Sequence, residues 1–411
     1  MTVAVEPLLD VDGLAAIEAE WEALDRELEP RTPFTSPLWL RLWWKHFHRE
    51  GWLRKDKWFV HIVRDEGGKL LAVAPLIRVD QPAHGPVGLR RLRFFGADTS
   101  LTEVRGVICR RSDENIVFKA LCDYLLVNRS EWDVIEWSGI RSGGGARAVL
   151  DKAGALISLT STPMYLLQLS NWNDLVASVS ANMRKNLRKA YERLRAGGHN
   201  FEFRVVEQAD DRALNRFFRL HSRRAQASNM LVIHPDKFRT SRNRAFITEY
   251  ITEVAKRNGL RIFELRIEGE AVASRLAFHL DDTLYFYYAG YDPLWRRSSV
   301  GTVLMAEALK WAIGSGLKTA NLSAGKDLSK LRWKPSEIVF DSYTQISPCL
   351  RGMVVGQTYA TIDSSLRKFS SPRKQQSSLG LTTPSAEGLT SGFGFRRGRN
   401  LSARATSSDE G

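Results

Sequence analysis

The segment YAGYDPLWRRSSVGTVLM, at residues 288–305, decides the fold. It joins an aromatic strand to an apolar helix through a Ser-Ser-Val-Gly turn, and Arg296 and Arg297 stand beside that turn. A helix N-terminus presents backbone amides without intrahelical partners and the positive end of the helix dipole. Because Gly301 lets the backbone approach a ligand closely, the turn fits a phosphate site, although an ordinary capped helix shows the same pattern. The order of the surrounding strands distinguishes these alternatives.

Three strands lead into this segment, and one follows the helix. Turns at Glu268-Gly269-Glu270 and Asp281-Asp282 separate three apolar runs, which predicts an antiparallel meander over 260–291. The helix VGTVLMAEALKWAIGSG then leads to a strand at TANLS, a charged loop at GKDLSKLRW and a last strand at IVFDSYTQI. Upstream, the pattern predicts a strand at MYLLQLS, a basic helix capped by Ser180, a strand at FEFRVV and helices over 210–226 and 236–257.

The first half of the chain shows a similar order of elements. A helix with one apolar side, containing Leu14, Ile17 and Trp21, precedes a second helix that begins at Ser36-Pro37. A hairpin follows, and then the strands LRRLRFFG and WDVIEWSGI around a helix near 113–128. Because both halves pass from helices through a hairpin to a strand after a late helix, they suggest a duplicated unit. The predicted fold class is α+β, with mostly antiparallel mixed sheets flanked by helices.

Length and composition set the domain organisation. With 411 residues, of which 43% are hydrophobic, the chain exceeds a single small binding module. We expect domains over residues 1–162 and 163–350 and a basic Ser/Gly-rich tail over 351–411. Because the tail offers little apolar surface to bury, we expect most of it, from 370 onward, to be disordered.

The positive charge is concentrated in two regions. Residues 181–244 contain 16 Lys and Arg against 6 Asp and Glu, and the tail from 351 contains 9 against 4. In the basic helix, pairs spaced four residues apart form two adjacent positive ridges on one side, Arg184 with Arg188 and Lys185 with Lys189. This pattern favours a polyanionic partner, such as a nucleic acid, a nucleotide sugar, a phosphate-bearing lipid or an acidic membrane, and it also fits a solvated helix face. We interpret the first three of these in chain order, Arg184, Lys185 and Arg188, as substrate-binding candidates.

Several classes of protein are disfavoured by the sequence. No apolar run is long enough to span a bilayer, and MTVAVEPLLD lacks the features of a signal peptide, so we expect a cytoplasmic protein. Cys109, Cys122 and Cys349 have no paired spacing, and the eight histidines form no metal-ligand spacing with an acid. We therefore expect neither a disulfide framework nor a metal site.

A meander that leads into a helix beginning Arg-x-x-Ser-x-Gly resembles the acyl-CoA site of the GNAT acetyltransferase superfamily, whose usual pattern is Gln/Arg-x-x-Gly-x-Gly/Ala. More closely, the chain resembles the CelD-like acetyltransferases found with bacterial cellulose and exopolysaccharide genes. The matching pieces are PFTSPLWLRLWWKHF at 33–47, LLAVAPL at 70–76, NMRKNLRKAYERL at 182–194, GEAVASRLAFHLDDTLYFYYAGYDPLW at 269–295, SVGTVLMAEALKWAIGSG at 299–316 and AGKDLSKLRWKP at 324–335. Two tandem GNAT-like halves also resemble the FemAB transferases, which add amino acids to peptidoglycan precursors from aminoacyl-tRNA.

The resemblance implies acyl transfer in the second half and a degenerate first half, which lacks the Arg-x-x-Gly-x-Gly turn. Ser299 stands at the first Gly position of the family pattern, and Ser329 stands where the family loop often has Tyr before Lys330. The predicted cofactor-binding residues for acetyl-CoA or another acyl-CoA are Ala289, Arg296, Arg297, Ser298, Ser299, Val300, Gly301 and Thr302.

Attack on a thioester requires donors for the oxyanion, a base for the nucleophile and a proton for the thiolate. Backbone amides near Tyr288 and Ala289 fit the first role, and Asp292 fits the role of base. Tyr288 or Tyr291 fits the role of proton donor to the thiolate. Lys330 fits stabilisation of a phosphate or the oxyanion, and Asp327, in the same loop, is a substrate-binding candidate. Each residue also has a purely structural interpretation in a strand, turn or surface loop.

Three functions remain open from the sequence. The leading hypothesis is an acyl-CoA-dependent N-acyltransferase that acts on an amino sugar or related precursor, small or lipid-linked, in extracellular polysaccharide or cellulose biosynthesis, with peripheral association to a polysaccharide synthase as a further expectation. The second hypothesis is FemAB-like transfer from aminoacyl-tRNA, which predicts tRNA binding with a steep salt dependence. The third is a scaffold without enzymatic activity that binds a polyanion or a synthase partner.

Overall fold

Residues 2–82, 88–97, 101–157, 161–227 and 234–356 are described by a computed structural model. They lie within one unit of structure, Met1–Ser364. The expectation for the tail falls outside the described residues from 357 onward.

The described residues contain fifteen strands, which hydrogen-bond into one sheet. The strands are β1 (Val3–Leu8), β2 (Glu50–Gly51), β3 (Arg54–Asp65), β4 (Leu70–Pro82), β5 (Gly88–Phe94), β6 (Ile108–Cys109), β7 (Val134–Arg141), β8 (Leu156–Ile157), β9 (Thr162–Gln168), β10 (Phe201–Val206), β11 (Leu260–Ile267), β12 (Glu270–Leu280), β13 (Thr283–Tyr291), β14 (Thr319–Ala324) and β15 (Ser336–Ile346).

Ten α-helices flank the sheet in the described part of the chain. They are α1 (Gly13–Arg26), α2 (Pro37–Phe47), α3 (Glu114–Val127), α4 (Gly145–Lys152), α5 (Trp172–Ser178), α6 (Ala181–Ala196), α7 (Asp211–Gln226), α8 (Ser241–Lys256), α9 (Val300–Gly314) and α10 (Leu328–Leu331). Caps predicted from the sequence are present, because the Ser36 side chain accepts a hydrogen bond from the Trp39 amide and that of Ser180 from the Met183 amide.

The order of strands repeats in the two halves. In the first half, β1, β3, β4 and β5 are antiparallel neighbours, and β5 pairs in parallel with β7. In the second half, β10, β11, β12 and β13 are antiparallel neighbours, and β13 pairs in parallel with β14. This repeat confirms the α+β class and the duplicated unit.

The strand at the sixth position of each half, β15 or β9, lies beyond the end of the first half in the sequence. β15, from the end of the second half, pairs with β7, whereas β9, which follows the first half, pairs with β14. β15 and β9 also pair with each other. The two predicted sheets are therefore continuous.

Aromatic residues of α2 fill the core between the halves. The Trp39 ring lies 4.8 Å from that of Phe246 and 4.7 Å from that of Tyr250, both on α8. Trp39 and Trp43 are buried. Such edge-on aromatic pairs add stability beyond their buried area, so α2 and α8 fix one half against the other.

The structure contains β1, α4 and α5, which the sequence did not predict, and it differs from the predictions at two further segments. α8 begins at Ser241 rather than 236, because Thr240 is its N-cap and accepts a hydrogen bond from the Asn243 amide at 3.2 Å. The loop GKDLSKLRW contains the short helix α10, which Asp327 caps by accepting from the Ser329 amide.

Candidate functional site

The site begins where two parallel strands separate. β13 and β14 pair only over Thr283–Tyr285 and Thr319–Asn321. Beyond them, a bulge against Arg275–Ala277 of β12 adds a residue to β13, and a bulge of this kind bends the strand. The gap opens into a cleft of about 930 Å³, lined by the ends of β13 and β14 and by the start of α9. The hypothesis that the Tyr288 and Ala289 amides act as oxyanion donors requires such a separation of the two strands.

The start of α9 forms one wall of the cleft. Ser299 has a left-handed backbone conformation with φ of 55°, and its carbonyl accepts from the Thr302 amide at 2.8 Å. Among the described residues, no acceptor is placed on the amide of Val300 or Gly301. A Cβ at Gly301 would meet only Tyr291 Cδ1, at 3.8 Å. Two amide donors and the positive end of a helix dipole therefore border open space.

Most of the predicted cofactor-binding residues line the cleft. Those that do are Ala289, Arg296, Ser299, Val300, Gly301 and Thr302. Arg297 and Ser298 are not among the lining residues, and the Arg297 carbonyl accepts a hydrogen bond from Arg193 at 2.9 Å. Cofactor binding by the whole set stays a prediction.

Tyr288 and Tyr291 both line the cleft. The Tyr288 ring packs 5.6 Å from His221 and 5.4 Å from Phe238. Burial, together with the charge of Glu103, raises the pKa of Tyr288 well above its ordinary value, so the phenol keeps its proton. The phenol is therefore present in the protonated form that the predicted role of proton donor requires.

Asp292 lies outside the set of residues that line the cleft. Its Oδ1 accepts a hydrogen bond from the Leu294 amide at 3.1 Å, and its Oδ2 pairs with the Arg223 guanidinium. Both carboxylate oxygens therefore have structural partners. The role of base that the sequence indicated for Asp292 stays a prediction without support from this geometry.

Lys330 and Asp327 both line the cleft. The Lys330 ammonium donates to the carbonyls of Ala324 at 2.7 Å and Gly325 at 3.1 Å. Burial lowers the pKa of Lys330 to about 8. Burial acts to raise the pKa of Asp327, but hydrogen bonds from Ser329 and nearby cations prevail and keep it below its ordinary value.

Glu103 is a functional candidate that the sequence did not indicate. It lies in the first half, yet it lines the cleft of the second half. Its Oε2 accepts hydrogen bonds from the Tyr285 hydroxyl at 2.5 Å and from the Ala324 amide at 3.0 Å. Burial raises the pKa of this carboxyl. The segment around Glu103 follows β5, just as the Ser-Ser-Val-Gly turn follows β13, and this correspondence is the signal that could have identified it.

The predicted substrate-binding residues of α6 lie elsewhere. Arg184 donates to the carbonyls of Ala177 and Val179, and Arg188 pairs with Glu192. Lys185 is exposed, and none of these three cations lines the cleft. A crevice of about 130 Å³ beside the start of α9 is lined instead by Met183, Asn186, Lys189, Arg193, Ser299, Thr302 and Arg332.

The cleft is positively charged. Its basic residues are Arg224, Lys237, Arg275, Arg296, Lys326, Lys330 and Arg332, against Glu103 and Asp327 as its acids. The Ala289 carbonyl accepts from Arg224 at 3.1 Å and lies 3.2 Å from His221 Nδ1, so α7 holds the end of β13 in place. A cleft with seven cations and two acids favours an anionic ligand.

The comparisons with known proteins agree with this architecture. Residues 181–334 match the family model described as an acetyltransferase (GNAT) domain. This match contains α6, the meander, α9 and α10, and therefore most of the cleft. None of the curated proteins matches the chain in sequence.

FemX shares the fold of this chain at low sequence identity. FemX superposes with a TM-score of 0.54 at 11% identity, over 79% of this chain and 95% of FemX. A tandem GNAT protein from the clavulanic acid biosynthesis pathway superposes with a TM-score of 0.43 at 11% identity, over 85% and 99% of the two chains. The chain thus shares the fold of FemX, and the narrower resemblance to the CelD-like acetyltransferases stays a hypothesis.

Two kinds of feature are absent from the described ranges. No group of three His, Cys, Asp or Glu side chains is arranged there to hold a metal ion. No helix in the same ranges has the length and apolar character needed to cross a membrane.

Proposed function

We propose that this protein is an acyl-CoA-dependent N-acyltransferase that works in the cleft of its second half. The observation that carries the proposal is the pair of amides at Val300 and Gly301, which have no acceptor among the described residues and lie beside the separated strands β13 and β14. Helix N-termini of this kind bind phosphate groups, and coenzyme A carries three of them. The match of residues 181–334 to a GNAT domain supports the same assignment.

Each part of the cleft has a role in this proposal. The start of α9 and Arg296 bind the coenzyme A phosphates, and the separated strands admit the thioester, which supplies the activated acyl group. The amides near Tyr288 and Ala289, assisted by Lys330, stabilise the oxyanion, because donors fixed in a partly buried site act strongly on developing charge. Tyr288 donates the proton that the leaving thiolate requires, and Asp327 orients the acceptor.

For the acceptor we propose an amino sugar or a related precursor of an extracellular polysaccharide, small or lipid-linked. The excess of cations in the cleft supports an acceptor that bears phosphate, as a nucleotide sugar does. The resemblance of the chain to CelD-like acetyltransferases supports the polysaccharide context and a synthase as partner.

Transfer from aminoacyl-tRNA is the second candidate, and the surface of α6 favours it. Lys185 and Lys189 are exposed on that helix, next to the crevice that leads to α9. Exposed cations beside a cleft suit a nucleic acid backbone, whose binding weakens steeply with salt. The fold shared with FemX is compatible with this candidate.

Calorimetric titration with acetyl-CoA tests the first candidate, with Gly301→Trp as the disrupting variant and Gly301→Ala as its matched control. Because a Cβ at Gly301 meets only Tyr291 at 3.8 Å, Ala fits without strain, whereas an indole fills the space in front of the amides. We expect saturable binding by the native protein and by Gly301→Ala, and at least a tenfold loss of affinity in Gly301→Trp.

The same titration separates the candidates. If the native protein and Gly301→Trp bind acetyl-CoA with equal affinity, the cofactor does not bind at the start of α9. Absence of acetyl-CoA binding, together with tight binding of tRNA that weakens between low and high salt, would favour the second candidate.

A further inference from the structure

A segment of the first half reaches into the cleft of the second. Leu101 and Thr102 are buried, and both are fixed by residues of other elements. The Leu101 carbonyl accepts from the Tyr287 hydroxyl at 2.5 Å, and the Thr102 hydroxyl accepts from Trp39 Nε1 at 3.0 Å. The next residue, Glu103, is therefore held in a defined position.

Two glycines fix the other side of this segment against β7. A Cβ on Gly106 would lie 2.5 Å from the Ser138 carbonyl oxygen, and a Cβ on Gly139 would lie 2.4 Å from the Arg105 carbonyl oxygen. Only glycine permits such close approach of two backbones. The segment is thus anchored on both sides of Glu103.

Glu103 bridges the point where the strands separate. Tyr285, which donates to Oε2, is the last residue of β13 that pairs with β14, and Ala324, which also donates to Oε2, ends β14. No described residue donates to Oε1. Because Glu103 lines the cleft, this oxygen is the part of the carboxylate available to a ligand.

The charges around Glu103 suit a base. Lys330 and Lys237 are the cations whose charges act on the pKa of Glu103, and both lower it. Burial raises the pKa of Glu103 and lowers those of both lysines. The other titratable groups that face it are Tyr285, Tyr287 and Tyr288, whose pKa values are raised by burial and by its charge. A carboxylate with a raised pKa is a stronger base than one in water.

We propose that Glu103, supplied by the first half, is the general base that removes the proton from the acceptor's nucleophile in the cleft of the second half. The assignment rests on the proposed acyltransferase function. It gives the first half, which lacks a cofactor turn of its own, a direct part in the chemistry.

The reaction step is balanced in atoms and electrons. The lone pair of the acceptor nitrogen forms a bond to the acyl carbon, and Oε1 of Glu103 takes the proton of that nitrogen. The carbon–sulfur bond breaks, and its electron pair leaves with the sulfur, which takes the proton of Tyr288. The proton held by Glu103 then restores Tyr288 through solvent, so the enzyme ends in its starting state.

Alkylation by bromoacetyl-CoA tests the position of Glu103 without knowledge of the acceptor. A carboxylate next to the acyl group attacks the bromomethyl carbon, forms an ester and releases bromide. In the full-length protein we expect peptide mass spectrometry to find the ester on Glu103, to find it suppressed at least tenfold by excess acetyl-CoA, and to find none in Glu103→Gln. Acetyl-CoA titration of Glu103→Gln should give an affinity within threefold of the native protein.

The outcomes separate this assignment from the proposed function. If native protein binds acetyl-CoA but no alkylation suppressed by acetyl-CoA occurs at Glu103, the assignment of the base is overturned and the acyltransferase function stands. If native protein does not bind acetyl-CoA, the proposed function fails and the assignment fails with it.

Kinetics with an amine acceptor give a second readout. In Glu103→Gln we expect kcat to fall about 10²- to 10³-fold with KM for acetyl-CoA nearly unchanged. The rise of rate with pH that reports ionisation of the base should disappear, and Glu103→Asp should recover part of the rate. An unchanged pH profile in Glu103→Gln would contradict the proposal.

Discussion

Arg275 is a buried cation that no described residue neutralises directly. It lies on β12 and lines the cleft, and its Nε is buried without a hydrogen-bond partner. Its guanidinium sits 5.3 Å from the centroid of the Phe286 ring. Burial, assisted by the charge of Arg224, lowers the pKa of Arg275 to about 10. The face of an aromatic ring offsets only part of the free-energy cost of removing a cation from water. An anionic ligand in the cleft therefore stabilises the charge of Arg275.

Substitution of Arg275 by Met, which is similar in length, should therefore stabilise the free protein. We expect the free energy of unfolding to rise by about 1–3 kcal/mol, because the methionine has no charge to desolvate. The thermal stabilisation produced by acetyl-CoA or by inorganic pyrophosphate should become smaller. Denaturant titrations with and without ligand measure both effects.

Arg296→Met is the matched control for this prediction. Arg296 also lines the cleft, but it is exposed, so its replacement should leave the stability of the free protein unchanged. Loss of stability in Arg275→Met would show that the guanidinium is already compensated in the free protein.

Single residues could be assigned from sequence only where their partners are close in the chain. Gly301 and Lys330 belong to motifs whose geometry is local, and both line the cleft. The partner of Asp292 is Arg223, 69 residues away, so sequence showed an acid at a turn but not the ion pair. Glu103 meets Tyr285 across 182 residues, and no local pattern encodes that contact.

At the scale of elements, the contact of α7 with β13 fixes one wall of the cleft. A Cβ on Gly290 would lie 2.2 Å from the His221 amide nitrogen and 2.4 Å from the Leu220 carbonyl carbon. These are backbone atoms of a helix, so they cannot move aside as the end of a flexible side chain can. The close approach is also what brings His221 and Arg224 to the Ala289 carbonyl.

Gly290→Ala should for that reason destabilise the protein by about 2–3 kcal/mol, as overpacking of a core does. It should also weaken acetyl-CoA binding, because displacement of α7 releases the end of β13. Gly301→Ala is the control, since its Cβ has its nearest contact at 3.8 Å and should change stability by less than about 0.5 kcal/mol. Equal stability of the two variants would show that α7 is not seated as tightly on β13 as the geometry requires.

Elements with strong periodicity were predictable, and those without it were not. The meander, α6, α7 and α9 follow from apolar spacing and caps within each segment. β1, by contrast, is a six-residue edge strand that pairs with one neighbouring strand, β3. The paired residues are more than fifty positions apart in the chain. Such a strand forms because the sheet offers it an edge, which is a tertiary effect.

At the scale of the whole molecule, the pairing of β15 with β7 ties the halves into one folding unit. β15 pairs with β7 of the first half from Phe340 to Ile346, and Trp137 Nε1 donates to Gln345 Oε1 at 2.9 Å. The boundary that we propose between residues 162 and 163 therefore separates two similar units, of which the second supplies the last strand of the first unit's sheet. Strand order within each half follows from neighbouring hairpins, whereas the pairing of β15 with β7 joins segments about 200 residues apart and has no signature in the sequence.

Removal of β15 should consequently expose a strand in the other half. In a chain that ends at Pro335, β7 loses its antiparallel partner, so its amides should exchange with solvent at least 100-fold faster than in a chain that ends at Gly356, which keeps every described residue. Hydrogen–deuterium exchange of peptides over β7 measures this, and β11, in the middle of the second-half meander, serves as the internal reference. Unchanged protection of β7 in the shorter chain would mean that the first half completes its sheet without the second. Loss of protection would show that β15 of the second half is needed to complete the sheet of the first half.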